Sequence, residues 1–114
     1  RRIKQNQDVS TLFAQCRLGK ESDIMQTLSW GKYSNNINMH EPEKLQTCLH
    51  VLGRYGHHEI IQKVCDTYGA NTNINDVFGR TPLFYAAAFA CWKTCIVLLH
   101  VRDHYESSFI ANIT

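Results

Sequence analysis

Residues 79–90, GRTPLFYAAAFA, decide how this chain is read. Gly79 supplies a turn, and Thr81 is placed to cap a helix, its side-chain oxygen accepting from an exposed first-turn amide for about 1 kcal/mol. Pro82 takes the first helical position, where the amide it lacks has no intrahelical partner. Ala86, Ala87 and Ala88 follow, small where a neighbouring helix must come close. A single helix start of this kind directs attention to an active site. One unit of a repeating design directs it to a binding surface.

Sliding the chain against itself selects the second reading. The segment from Thr47, TCLHVLGRYGHHEIIQKVCDTYGANTN, and that from Thr81, TPLFYAAAFACWKTCIVLLHVRDH, start 34 residues apart and carry like residues at like offsets. Leu49 matches Leu83, His50 matches Phe84, and Gly56 matches Ala90. A looser copy, STLFAQCRLGKESDIMQTLSW, lies upstream, with Gly19 in the Gly56 place, and a longer link through Trp30, Tyr33 and HEPEK follows it. Each copy reads as two short helices and a loop. The second helix of the last copy is expected over 91–100, with Cys95, Val97, Leu98 and Leu99 on its buried face. Ile60, Ile61, Val64 and Cys65 do the same work in the middle copy, where Gly69 follows as a left-handed cap.

GRTPLFYAA, TCLHVLGRYGHHEIIQKV and YGANTNIND together resemble ankyrin repeats, well over residues 47–103 and loosely over 8–38. The resemblance implies an all-α solenoid of stacked helix-turn-helix pairs with hairpin-like loops. The whole chain, 1–114, then forms one domain with repeats near 8–38, 39–75 and 76–104, and 105–114 as a tail or the start of a further repeat. It also implies that His50 and His57 make hydrogen bonds tying helix starts to loops. Three departures stand out: Cys48 replaces the motif proline, Phe84 the motif histidine, and Ala90 the interhelix glycine. One extra residue before Gly69 accounts for the spacing of 34. Three repeats is near the lower limit for a stable stack, so the outer two act as caps.

The totals agree with a single domain. The chain has 114 residues, 44% of them hydrophobic, with 12 basic and 10 acidic residues giving a formal charge of +2. That balance is too weak to imply nucleic acid or an anionic membrane as partner. No apolar run approaches the roughly 20 residues needed to span a bilayer, and RRIKQNQDV lacks the apolar stretch of a signal peptide. Five cysteines without a close-set disulfide pattern fit free thiols in a reducing compartment, cytoplasm or nucleus. The C-terminal NIT matches a glycosylation sequon, a three-letter match of little weight. The absence of an initiating methionine and the ending at ANIT read as a domain cut from a longer intracellular protein.

The sharpest chemical motif is Cys91-x3-Cys95 with His100-x3-His104, a ligand set for structural zinc. On one continuous helix these groups do not converge without a break near Leu99, so no metal or other cofactor is expected. Cysteine–histidine nucleophile pairs, Cys48 with His50 or Cys65 with His58, lack a marked orienting acid and oxyanion pocket. The expectation is therefore not an enzyme but a scaffold or adaptor module that binds another protein or peptide. An appendage of an enzyme whose catalytic domain lies elsewhere is the alternative, and a metal-dependent domain using the 91–104 cluster a second.

The resemblance places the binding surface on a concave groove of loop tips and first-helix ends. Loop positions are Glu43, Lys44 and Gln46, then Val77, Phe78 and Arg80. First-helix positions are Arg17 and Leu18, Arg54 and Tyr55, and Ala88 and Phe89. From these, partner contacts are assigned to Arg54, Tyr55, Phe78, Arg80, Phe89, Glu43, Lys44 and Gln46, since arginine and aromatic residues concentrate at the energetic centres of interfaces. Packing of Phe78 and Phe89 on neighbouring repeats is the competing reading. The long link with Trp30 and Tyr33 is a second candidate surface.

Overall fold

A computed structural model of the chain describes the backbone of residues 2–30 and 36–113 and the side chains of residues 10–30 and 36–102. Among the described residues lie α1 (Arg2–Leu18), α2 (Glu21–Leu28), α3 (Cys48–Arg54), α4 (His58–Tyr68), α5 (Pro82–Ala88) and α6 (Trp92–Ile113). They make three consecutive helix-turn-helix pairs. The first helices pack in the order α1, α3, α5, and α4 packs on α6. One apolar core runs through all three pairs, with Leu12, Cys16, Ile24, Leu28, Leu52 and Ile61 fully buried. Each large aliphatic side chain withdrawn from water in this way contributes about 1.5–3 kcal/mol.

The turns inside the pairs share a left-handed residue: Gly19 at φ +69°, Gly56 at +75° and Ala90 at +58°. Glycine adopts this conformation freely, whereas alanine is strained there. The Ala90 departure thus kept the turn and gave up the residue suited to it. Gly69 closes α4 in the left-handed region, its amide donating to the Cys65 carbonyl. Because α4 runs unbroken from His58 to Tyr68 with Gly69 as its cap, the extra residue of this repeat lies within the helix.

Three expectations need correction. Thr81 stands in an extended conformation before α5 but makes no side-chain capping bond; the turn closes through the Phe84 amide and the Thr81 carbonyl at 3.1 Å. The second helix of the last pair does not end near His100 but continues to Ile113. The place 34 residues after Gly69 holds Asp103, and neither glycine nor proline follows to stop the helix. Leu99 is exposed, and Thr94 takes a buried place instead. Thr94 and Leu98 are one turn apart on the buried face with Cys95 and Val97 half-buried beside them, and Leu99 lies 100° past Leu98. Ile60, Ile61, Val64 and Cys65 are all buried, as the middle copy requires.

No helix among the described residues is long and apolar enough to cross a membrane.

Candidate functional site

The loops between pairs are built around an acidic residue. Asp76 is 5% exposed, and its Oδ1 accepts from the Phe78 and Arg80 amides at 2.9 Å each. Its Oδ2 accepts from the Tyr85 hydroxyl and from Gln46 Nε2 at 3.3 Å. The Asp76 amide donates to the Arg80 carbonyl at 2.9 Å, closing a hairpin-like turn. Burial is the largest single influence on this carboxyl and works to raise its pKa. The donors from Tyr85, Arg80, Gln46 and Phe78 together prevail and hold it below 3.8. Tyr85 is pushed up, first by burial and then by its bond to Asp76. The preceding loop repeats the device with Glu41, whose carboxylate accepts from the Glu43, Lys44 and Gln46 amides. The two loops join where the Val77 amide donates to the Lys44 carbonyl at 2.8 Å.

His50 ties this loop to the helix start below it. Its Nδ1 accepts from the Thr47 amide at 3.0 Å, so the ring proton sits on Nε2 and is donated to the Arg80 carbonyl at 2.8 Å. Burial holds its pKa below 6.5 against the opposing pull of the Arg80 carbonyl and Asp76. His57, in the turn after α3, makes a different tie, from Nε2 back to the Arg17 carbonyl at the end of α1, at 3.1 Å. Both histidines are structural. Phe84, in the His50 place, cannot donate; its ring lies edge-on to Tyr85 at 5.6 Å and under the Arg80 guanidinium at 4.8 Å.

On this frame the structure gathers two arginine–aromatic clusters. The Arg54 guanidinium lies 5.2 Å from the Tyr55 ring centroid and 5.1 Å from that of Phe89, spanning a repeat boundary. Arg80 lies 5.1 Å from the Phe78 centroid as well as over Phe84. Phe78 is 61% exposed, Phe89 53% and Tyr55 43%, so none is absorbed into packing between repeats. Neither arginine is within ion-pair distance of a carboxylate among the described residues. Glu43 and Lys44 are exposed on the neighbouring loop. Gln46 is half-buried, its amide committed to Asp76 and Tyr85, which makes it a support for the loop tip.

Among the described residues the other chemical candidates are not assembled. Helix α6 passes unbroken through Leu99, which leaves Cys91 before its first turn, Cys95 half-buried and His100 exposed; the His104 side chain lies outside the described residues, as does Tyr33. Cys48 is 1% exposed, and both His50 ring nitrogens are occupied. Burial pushes the Cys65 thiol up to about 12, far from a reactive thiolate. Trp30 is partly exposed at the end of α2. A cavity of about 330 Å³ opens at the C-terminal end of α4 beside Cys65, Asp66, Ala70 and His100, away from both arginine clusters.

Asp76 and Tyr85 were not singled out from sequence. The readable signal was a short acidic residue at the head of a glycine-containing loop, where its oxygens can take amides two and four residues on. Nothing local marks Tyr85, since its role depends on the fold bringing Asp76 and Gln46 to it.

Comparison with known proteins bears on the whole arrangement. A family model for ankyrin repeats, three copies, matches residues 12–107. A protein of Plasmodium falciparum (isolate 3D7) named "Putative E3 ubiquitin-protein ligase protein" is 33% identical over 75 residues. The match covers 66% of this chain and 1% of that protein, so the chain spans about a hundredth of the relative's length.

Proposed function

The chain belongs to the ankyrin-repeat family, and we propose that it works as a scaffold or adaptor module which captures a partner protein on its loop tips and first-helix ends. Ankyrin repeats are a protein–protein interaction module. The observation that carries the finer reading is the Arg54 guanidinium held between the exposed Tyr55 and Phe89 rings across a repeat boundary. Such groups give an interface rigid apolar area and a charge already oriented, so little side-chain entropy is lost on binding. Phe78 and Arg80 extend the surface to the loop tip, Glu43 and Lys44 form its rim, and Gln46 positions it. The proposed unit is one domain over 1–114, with repeats near 8–38, 39–75 and 76–104, in an intracellular protein.

The test uses the domain as bait to isolate a partner, then repeats the capture with Arg54→Glu and Phe89→Ser. Both substitutions are at exposed positions, and circular dichroism checks the fold. Loss of capture supports the surface; undiminished capture by both folded variants removes it.

One observation favours a second reading, in which the module docks or regulates a larger enzyme. The stretch of likeness is a small part of a long protein whose name describes a ubiquitin ligase. Ligase activity in the longest native chain that contains this domain, altered by Arg54→Glu, would favour that reading over a free-standing adaptor.

A further inference from the structure

Contacts between repeats set a register that the recognition face inherits. His57, in the turn after α3, bonds to the Arg17 carbonyl, and Cys91, in the turn after α5, reaches the Arg54 carbonyl with Sγ at 3.9 Å. The steric relations recur too: a Cβ on Gly19 would meet His57 at 2.4 Å, and one on Gly56 would meet Cys91 at 3.1 Å. The ends of the three first helices therefore lie in matched rows, Arg17–Leu18, Arg54–Tyr55 and Ala88–Phe89. Arg17 is exposed and Leu18 is 67% exposed, continuing the pattern of a guanidinium beside an apolar group.

Packed helices stand about 8–10 Å apart, and a chain extended in the polyproline II form advances about 3.1 Å per residue with about three residues per turn, so every third side chain returns to the same face. A peptide lying across the repeats thus meets one row every three residues. Charge completes the match. On the first-helix and loop side, the carboxylates of Glu41 and Asp76 are taken up by their own loop amides, while Arg17, Arg54 and Arg80 have no ion pair among the described residues. Glu43 also lies on this side, at its rim, while the second helices carry both signs, Glu21, Asp23, Glu59 and Asp66 with Lys63, Lys93 and Arg102, and Lys63 pairs with Glu21 there.

We propose, resting on the reading of this face as the recognition surface, that its ligand is an extended acidic segment of a partner protein with carboxylates three residues apart, each next to an apolar side chain. The carboxylates meet Arg17 and Arg54, and the apolar groups lie on Leu18, Tyr55 and Phe89. A single-stranded nucleic acid shares the negative charge and the capacity to stack. A formal charge of only +2 disfavours so dense a polyanion.

The test is fluorescence anisotropy with the whole domain and a dye-labelled probe, Gly-Ser-Glu-Phe-Ser-Glu-Phe-Ser-Gly. Its controls are the same composition with adjacent glutamates, the glutamine analogue, and a nine-nucleotide oligothymidine. The in-register probe should bind about tenfold or more tighter than either peptide control, a difference of about 1.4 kcal/mol. Arg17→Gln and Arg54→Gln, which leave the helices intact, should each weaken it to a similar degree. Equal binding of the controls, no binding at millimolar concentration, or tighter binding of oligothymidine each overturns the proposal. Loss of natural-partner capture in Tyr55→Ser/Phe89→Ser, alongside failure of the peptide series, would leave the recognition face standing and the acidic ligand rejected. Failure of both would remove both.

Discussion

Replacing Asp76 with asparagine tests the frame on which the proposed recognition face stands. Asparagine keeps an oxygen for the Phe78 and Arg80 amides but puts an NH2 group where Oδ2 now accepts from Tyr85 and Gln46. Two charge-assisted bonds are lost, each worth about 1.5–3 kcal/mol. The hydroxyl can turn to accept and the Gln46 amide can reorient, recovering part of this. A net loss of about 2 kcal/mol is expected. Unfolding entropy near 2.1 cal/mol/K per residue gives about 0.24 kcal/mol/K for this chain, so Tm should fall by about 8 °C. The sign of the pH effect is also fixed. Asp76 is held below 3.8 in the folded chain, so its contribution is present above that pH and is lost as the pH falls through the lower folded value. Thermal and urea unfolding followed by circular dichroism should therefore show a gap between parent and Asp76→Asn that is full at pH 7 and narrows below pH 3.8. A Tm change under about 2 °C at pH 7, on the same entropy scale, would refute the claim that this carboxylate organises the loop.

Three further outcomes follow from single residues. Ala90→Gly should raise stability by about 0.5–1 kcal/mol, because it relieves a left-handed alanine at φ +58° at some cost in chain entropy; a lower urea midpoint would contradict the strain. Thr94→Val should also stabilise, by about 1 kcal/mol, since the Thr94 hydroxyl is buried without a hydrogen-bond partner, and a clear loss of stability would mean that the hydroxyl is in use. Because burial holds His50 below 6.5, its neutral form contributes stability that is full above pH 6.5 and is lost as the pH falls through the lower folded value; a His50 ring titrating at or above 6.5 by NMR would contradict this.

The sequence made the scaffold legible because a repeat states its own rules more than once. Thr47 and Thr81, Gly19 and Gly56, and the buried set around Ile61 and Val64 each announce a position that the next copy confirms. What stayed hidden depended on contacts between copies or on missing punctuation. Tyr85 gains its partner only when Asp76 and Gln46 arrive from the loops, and Gln46 looked like a surface residue for the same reason. The length of α6 was misjudged because family spacing suggested a stop where the chain has no residue to enforce one. At the proposed recognition face, residue type suggested Arg54, Tyr55 and Phe89. Only the folded chain puts Arg54 between the two rings and aligns Arg17 and Leu18 with them.

The central claim is that partners are held by the first-helix ends and loop tips. Amide hydrogen exchange of the domain, free and bound to a partner captured by it, tests this most directly. The account predicts that protection on binding concentrates in residues 17–18, 53–56, 77–80 and 88–90 and leaves α4 little changed. Protection centred on α4 and the cavity beside Cys65 and His100, with those segments exchanging as in the free chain, would contradict it.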